Sequence, residues 1–305
     1  MKVLVIGASG FLGSYLVKEF SSATIANSQH ENSQYEVFGT SHRGEGGYPA
    51  LDLASEGDVK TVLENVKPEL ILLSAGITNM DLCEEKPQEC WEANVGGTQK
   101  VADYCKKHNA VLAFYSTDAV YDGKRGPYLD GDSQINPQSV YAKQKMEAEK
   151  IVAEVKGHLI IRTSSIYGWD PRGMNFIARL VSNLSQGKEL TAPADQSYMP
   201  TYAPDLAHAT RLLVEAKQKG VFNVAGSTFI SRYAFALVAA EVFGLDQKLI
   251  KRVMTKDLNQ KAARLEKGGL LSHKLVQATR FVPKTVRQGL EDMLTLRNSG
   301  ISTSP

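Results

Sequence analysis

The chain has 305 residues, with 35 Lys and Arg against 33 Asp and Glu and a formal net charge of +2. Both signs are interspersed, so there is no basic stripe for nucleic acid, and no apolar run is long enough to cross a bilayer. The length suits one large α/β body with a smaller appended lobe.

In chain order, Val3-Leu4-Val5-Ile6 predicts a buried strand over 2–6, and Gly7-Ala8-Ser9-Gly10-Phe11-Leu12-Gly13 follows it directly. Strand, glycine turn and helix opening is the arrangement that holds a dinucleotide pyrophosphate. Gly7 permits the tight turn, Gly10 lets backbone amides approach phosphate oxygens, and Gly13 lets the helix lie close to the sheet. Ser9, Phe11 and Leu12 complete this cofactor-binding stretch. The spacing is GxxGxxG, which points to a cofactor class and to no particular reaction. Nothing at the N-terminus reads as a signal peptide, because Lys2 precedes only this short strand.

A helix is predicted over 11–20, then an aperiodic polar loop over 26–34, then a strand over 35–39. Gly39-Thr40-Ser41-His42-Arg43 ends that strand with hydroxyls and a guanidinium where NAD-binding chains favour an acidic residue. Ser41, His42 and Arg43 therefore read as a 2′-phosphate site, with NADP(H) preferred over NAD(H). Leu51-Asp52-Leu53 predicts a short third strand, with Asp52 accepting from the adenine amino group and Leu53 beside it. A helix over 56–66 and a strand over 69–74 follow, the latter ending at Ser74-Ala75-Gly76. Ala75 and Gly76 are small enough for backbone to lie flat against a cofactor.

A helix over 88–107, a strand over 110–115, a helix over 138–155 and a strand over 158–162 continue the alternation. The cysteines Cys83, Cys90 and Cys105 have neither CxxC nor metal-ligand spacing, and no metal site is expected. They read as reduced, buried thiols of a cytoplasmic protein, two of them seven residues apart on one helix. Beyond 163 the alternation fades, with helices at 173–186, 205–217, 231–243 and 284–295 and a strand at 220–224 returning to the main sheet. The expected fold class is α/β: a doubly wound parallel sheet (Rossmann) over 1–162, rejoined by about 205–225. A smaller, mostly helical substrate-binding lobe over 163–305 is discontinuous. The tail from Asn298 reads as unstructured.

Tyr141-Ala142-Lys143-Gln144-Lys145 sets a phenol and an ammonium four residues apart on one helix face. A nearby cation favours the phenolate, so Lys145 is expected to lower the Tyr141 pKa and fit it for proton transfer to a carbonyl oxygen. Phe114-Tyr115-Ser116-Thr117-Asp118 ends the fifth expected strand, at the sheet edge where ligands bind in such folds, and a hydroxyl there can polarise the same carbonyl.

In this combination the chain resembles the extended short-chain dehydrogenase/reductase family, and within it the dTDP-4-dehydrorhamnose reductase branch, which reduces the 4-keto group of nucleotide-linked deoxysugars. The resemblance covers nearly the whole length. It runs through Pro68-Glu69-Leu70-Ile71, Ala93-Asn94-Val95, Ser116 to Gly123, Pro127-Tyr128 with Asp132, Asn136-Pro137, Arg162 to Gly168 and Asp205-Leu206-Ala207. It implies that Thr117 polarises the carbonyl, that Tyr141 donates the proton and that Lys145 activates it and anchors the nicotinamide ribose. It further implies Asn94 and Ser116 beside the cofactor, and Asp118, Ser165 and Asn175 facing the sugar. A nucleotide-sugar substrate and a homodimer paired through exposed helices follow from the same likeness. Ala119 stands where the family has an aromatic residue, Ser165 where rhamnose-pathway members have Trp, and Arg264-Leu265 where an Arg-Pro element is usual. Two other readings of the scaffold are an epimerase or dehydratase with tightly held NAD, and a non-catalytic NADP-binding subunit like the methionine adenosyltransferase β-subunit.

Overall fold

A computed structural model of the chain describes residues 1–26, 35–132, 134–170 and 172–299. The loop expected over 26–34 and the expected tail lie, apart from Ala26, Asn298 and Ser299, outside the described residues. Strands β1 (Lys2–Ile6), β2 (Glu36–Thr40), β3 (Leu70–Leu73), β4 (Val111–Thr117) and β5 (His158–Thr163) precede four short ones. These are β6 (Ile166–Tyr167), β7 (Leu190–Pro193), β8 (Ser197–Tyr198) and β9 (Thr201–Tyr202), followed by β10 (Gly220–Asn223), β11 (Ile230–Ser231) and β12 (Ile250–Val253). The main sheet has six parallel strands in the order β2-β1-β3-β4-β5-β10.

Both faces of this sheet are covered, which explains its uninterrupted apolar strands. Val3, Val5, Leu70, Leu72, Ala113, Tyr115, Leu159 and Ile161 face one side, under α1 (Phe11–Ala26) and, later in the chain, residues 203–215. Leu4, Ile6, Ile71, Leu73, Leu112, Phe114 and Ile160 alternate onto the other side. There they meet α2 (Glu56–Val66) and the helical run 97–108, with the helix over 140–153 beside it.

Between β3 and β4 lie α3 (Met80–Glu85), α4 (Pro87–Trp91), a π-helical turn over Glu92–Gly96 and α5 (Gly97–His108). The helix expected over 88–107 thus carries a π-helical turn, and just after it Gly97 packs so closely on Leu53 that a Cβ would meet it at 2.7 Å. Cys83 and Cys90, expected on one helix, lie on two consecutive short ones that meet at Lys86, and Cys105 lies on α5; all three are buried and free of disulfides. The strand expected at 51–53 does not form. Asp52 Oδ1 caps Ala54 N at 2.9 Å and its carbonyl takes Ser55 N, so the chain turns there. Only a bridge between Ser41 and Ala50 remains of it.

Beyond α6 (Val140–Ala153) come α7 (Phe176–Ser185), α8 (Ala203–Glu215), α9 (Arg232–Phe243), α10 (His273–Thr279) and α11 (Val286–Asn298). A second core gathers Ile177, Leu180, Phe235, Ala239, Leu290 and Met293 from α7, α9 and α11. The chain returns from it to the sheet at α8 and β10, as read from the sequence, and again at α10, whose Leu275 lies in the first core. No helix of the described residues is long and apolar enough to cross a membrane.

At the centre, Arg162 on β5 donates to Glu149 of α6 at 2.9 and 2.6 Å and to Tyr121 OH at 2.9 Å, all buried. Replacing Arg162 by Met strands the Glu149 carboxylate and is expected to cost about 3–5 kcal/mol in urea unfolding. Adding Glu149→Leu is expected to recover most of that loss; a double variant no more stable than the single one overturns this account of the pair.

Candidate active site

The sheet order reverses direction at β1, so the loops leaving β1 and β3 open a crevice at the carboxyl edge. The two loops meet closely there. Gly7 has φ +93°, and a Cβ on it would come within 3.0 Å of the Ala75 backbone; a Cβ on Gly13 would overlap Gly7 O. Ala8 N and Gly10 N are satisfied by Thr40 O and Gly7 O. The opening amides of α1, at Phe11 and Leu12, have no carbonyl a turn earlier in the helix and face the place where a pyrophosphate fits. Ser9 lies within this turn, between Ala8 and Gly10. A cradle that any side chain would fill, ending on free amides, fits a dinucleotide.

Asn94 was expected to touch the cofactor, and its amide is spent otherwise. Oδ1 accepts from Ile77 N at 2.8 Å, while Nδ2 donates to Ile77 O and to Gln144 Oε1, both at 3.0 Å. Its work is to fix the Ala75-Gly76-Ile77 turn, where Gly76 takes φ +155° and a Cβ would meet Asn94 Oδ1 at 2.9 Å. The π-helical turn that aims Asn94 inward has no sequence signature beyond the Gly96-Gly97 pair.

At the end of β2, Arg43 is exposed and makes no hydrogen bond or ion pair among the described residues. His42 Nε2 lies 3.9 Å from Asp52 Oδ1, both well exposed. Ser41 is buried, and its Oγ accepts Glu45 N at 2.7 Å, so it braces the loop that presents Arg43. Leu53 is buried beneath this mouth, its carbonyl accepting from Lys100 Nζ at 3.2 Å.

Tyr141 and Lys145 occupy one face of α6, both partly exposed, and neither polar head has a hydrogen-bond partner among the described residues. Burial, with Cys83 and Asp118 nearby, drives the Tyr141 pKa upward. The expected lowering by Lys145 is therefore absent. The reason is that Lys145 is itself desolvated, with its pKa brought down to about 7, and its Nζ sits 3.9 Å above the Phe114 ring. Two residues beyond Phe114 on β4, Ser116 has a buried hydroxyl with no hydrogen-bond partner. Thr117 Oγ1 accepts Ala119 N at 3.1 Å and donates to Asp118 Oδ1 at a long 3.4 Å, a bond that an incoming carbonyl can displace.

The residues expected to face the sugar are arranged differently. Asp118 is buried, with Oδ2 accepting Ser164 Oγ at 2.6 Å and Gly269 N at 2.9 Å, so it ties β4 to the second lobe rather than lining open space. Burial raises its pKa against those donors. Asn175 caps α7 through Ala178 N at 3.0 Å and donates to Gly168 O at 2.9 Å. Ser165 is exposed and has φ +26°, a strained position for a non-glycine residue at the point where β5 hands over to β6. Trp169 Nε1 donates to Met293 O at 2.8 Å and the ring packs on Phe243, inside the second core. A polar cavity of about 320 Å³ opens in the second lobe, with Arg179 and Arg232 as its cations, Glu189 as its anion and Gln196 and Gln260 on its wall. No cluster of three or more metal-ligating side chains occurs among the described residues.

Matching against known families places residues 1–298 on the model of the RmlD substrate binding domain. The chain belongs to that family. Among its relatives it is 28% identical to the dTDP-4-dehydrorhamnose reductase of Aggregatibacter actinomycetemcomitans, over 96% of this chain and 98% of that one. It is 27% identical to the methionine adenosyltransferase 2 subunit beta of Xenopus laevis, over 83% of this chain and 75% of that one. The crystal structure of the Bacillus anthracis dTDP-4-dehydrorhamnose reductase in complex with NADP superposes with a TM-score of 0.86 at 24% identity, covering 96% of this chain and 98% of that one, a likeness of fold.

The desolvated lysine makes a test possible without substrate. With a folded pKa of about 7 against 10.5 unfolded, the unfolded chain binds more protons between these values, so Lys145 makes stability rise with pH across that window. Thermal melts between pH 6.5 and 8.5 are expected to show a rise that is flattened in Lys145→Met; the same slope in both proteins sinks this reading of the site.

Proposed function

We propose that this family member is an NADPH-dependent reductase acting on the 4-keto group of a nucleotide-linked deoxysugar, in the manner of the dTDP-4-dehydrorhamnose reductases. The observation that carries the reading is placement: Tyr141 and Lys145 share one face of α6, packed against β4, whose last residue is Thr117, in the same sheet whose β1 leads into the glycine cradle. Bound NADPH supplies a hydride to a carbonyl carbon. Thr117 turns its weakly held proton from Asp118 to the carbonyl oxygen and polarises it. Tyr141 delivers a proton to that oxygen as the general acid. Lys145 rests on the Phe114 ring and has no hydrogen-bond partner among the described residues, which leaves its donors for ribose hydroxyls. Asp118 and Asn175 serve by holding the substrate side in place, and Arg179 and Arg232 in the second-lobe cavity suit the two phosphates of a nucleotide. The free guanidinium of Arg43 supports NADP(H) over NAD(H), and with it weighs against an epimerase or dehydratase that retains NAD. In this reading the enzyme works in the cytoplasm and pairs with a second copy through exposed helices.

The regulatory reading is favoured by one finding, the likeness to an adenosyltransferase β-subunit, together with small residues at Ala119 and Ser165. Absorbance at the reduced-nicotinamide band, with a panel of 4-keto-6-deoxy nucleotide sugars, separates the two. Turnover of one panel member, reduced at least about a hundredfold in Tyr141→Phe, is the expected result. Tight NADPH binding with no turnover on any member moves the assignment to the regulatory subunit. Arg43→Ala is expected to weaken NADPH binding about tenfold while leaving NADH unchanged. Equal weakening of both cofactors, followed by titration of nicotinamide fluorescence, removes Arg43 from the 2′-phosphate site.

A further inference from the structure

Two ion pairs cross from the second lobe to the short helix α3, and the chemistry above uses neither. Arg264 Nη2 lies 3.0 Å from Asp81 Oδ2, and Lys261 Nζ lies 2.7 Å from Glu85 Oε1. Ala262 N donates to Asp81 Oδ1 at 2.9 Å, so Asp81 is gripped by side chain and backbone together. Burial opposes the charge on Asp81, yet the Ala262 amide and the Arg264 guanidinium outweigh it and hold the carboxyl below its ordinary range.

The segment 258–269 that makes these contacts is a strap tied down along its length, including a backbone bridge between Lys267 and Ser197 of β8. At its start, Leu258 and Gln260 line the second-lobe cavity, and Gln260 Oε1 accepts from Gln196 Nε2 at 3.1 Å. At its far end, Lys267 N donates to Gly123 O at 2.7 Å and Gly269 N to Asp118 Oδ2 at 2.9 Å, beside the turn that carries Thr117. In between lies the latch on α3.

That helix has a second connection. Glu84 Oε1 accepts from Val140 N at 2.9 Å, and Val140 opens α6 immediately before Tyr141. Asp81, Glu84 and Glu85 are three and four residues apart, so one small helix faces the strap with two carboxylates and the catalytic helix with another.

We propose that α3 couples the strap to the catalytic helix, with Asp81 and Glu84 as positioning residues, so that seating of the strap at the cavity mouth sets the placement of Tyr141. The catalytic meaning rests on the reductase reading, whereas the coupling itself is a property of the protein without substrate. Hydrogen exchange followed by mass spectrometry on the full-length chain therefore tests it independently. Asp81→Asn and Arg264→Gln are each expected to speed exchange roughly fivefold both in the strap and at residues 139–143, leaving the glycine turn after β1 unchanged. Arg264→Lys, which keeps the charge, is expected to stay close to the wild-type rates. Glu84→Ala is expected to loosen residues 139–143 alone, since it removes the last link and not the latch. A strap that loosens in Asp81→Asn while residues 139–143 keep their wild-type rate overturns the coupling, as does Arg264→Lys behaving like Arg264→Gln. Lack of turnover in the wild-type protein would instead sink the reductase reading and leave the exchange result standing.

Discussion

The buried guanidinium of Arg162 is the contact on which the site depends. Its strand, β5, pairs with β4 so that Arg162 stands opposite Ser116. From there it reaches Glu149, one turn beyond Lys145 on α6, and Tyr121, which follows the turn after Thr117. The three segments that supply the hydroxyl, the phenol and the ammonium are thereby joined through one planar fork. A buried ion pair of this kind adds little net stability over well-packed apolar residues, but an alternative packing that separates the partners is heavily penalised. Its contribution is to specify one arrangement. Tyr121 extends the network by stacking on Tyr128 at 4.1 Å, and Tyr128 OH donates to Asp122 Oδ1 at 2.8 Å.

That commitment has an electrostatic consequence. Glu149 is the acidic group bearing on Lys145, and it is already occupied by Arg162, so desolvation dominates the lysine. The Phe114 ring offsets only a part of the lost hydration. The result is a site whose polar heads are held in place by their stems and backbones while their own bonding capacity stays unspent: the Tyr141 phenol, the Lys145 ammonium and the Ser116 hydroxyl. Unspent polar groups are costly in an interior. Ser116 is such a group among the described residues, and the half-exposed heads of Tyr141 and Lys145 lie on the helix packed against its strand.

Much of the frame was legible in the residues. Strands buried on both faces need continuous apolar runs, and the runs at 2–6, 69–74, 110–115 and 158–162 are of that kind. The stretch 51–53 shows why such reading stops. An aspartate between two leucines has the pattern of a strand, but the same aspartate can cap the amide two residues on, and that short-range bond prevails. The short helices α3 and α10 offer too few turns for periodicity to register. Residue types also fail to reveal prior engagements. Asn94, Asn175 and Asp118 are polar groups in the right part of the chain, yet each is consumed by backbone amides or a neighbouring hydroxyl. Only the packing of other segments decides which polar atoms remain free.

Those engagements also show which parts of the region around residues 119 and 165 are fixed by backbone. The bonds that position the site near Ser165 are made by its neighbours and its backbone: Ser164 Oγ reaches Asp118, and Ser165 O accepts Thr201 N at 3.2 Å. The side chain of Ser165 projects from a strained residue and bears on the buried Tyr198 hydroxyl rather than on Asp118. Ala119 is comparable, since its amide caps onto Thr117 while its methyl group only fills space. Ala119 is buried, so a larger side chain there would have to displace its neighbours, whereas Ser165 is exposed; the backbone bonds at both positions do not depend on side-chain size. The backbone bonds and the Arg162 network therefore fix where the Thr117, Tyr141 and Lys145 side chains emerge, independently of what stands at 119 and 165.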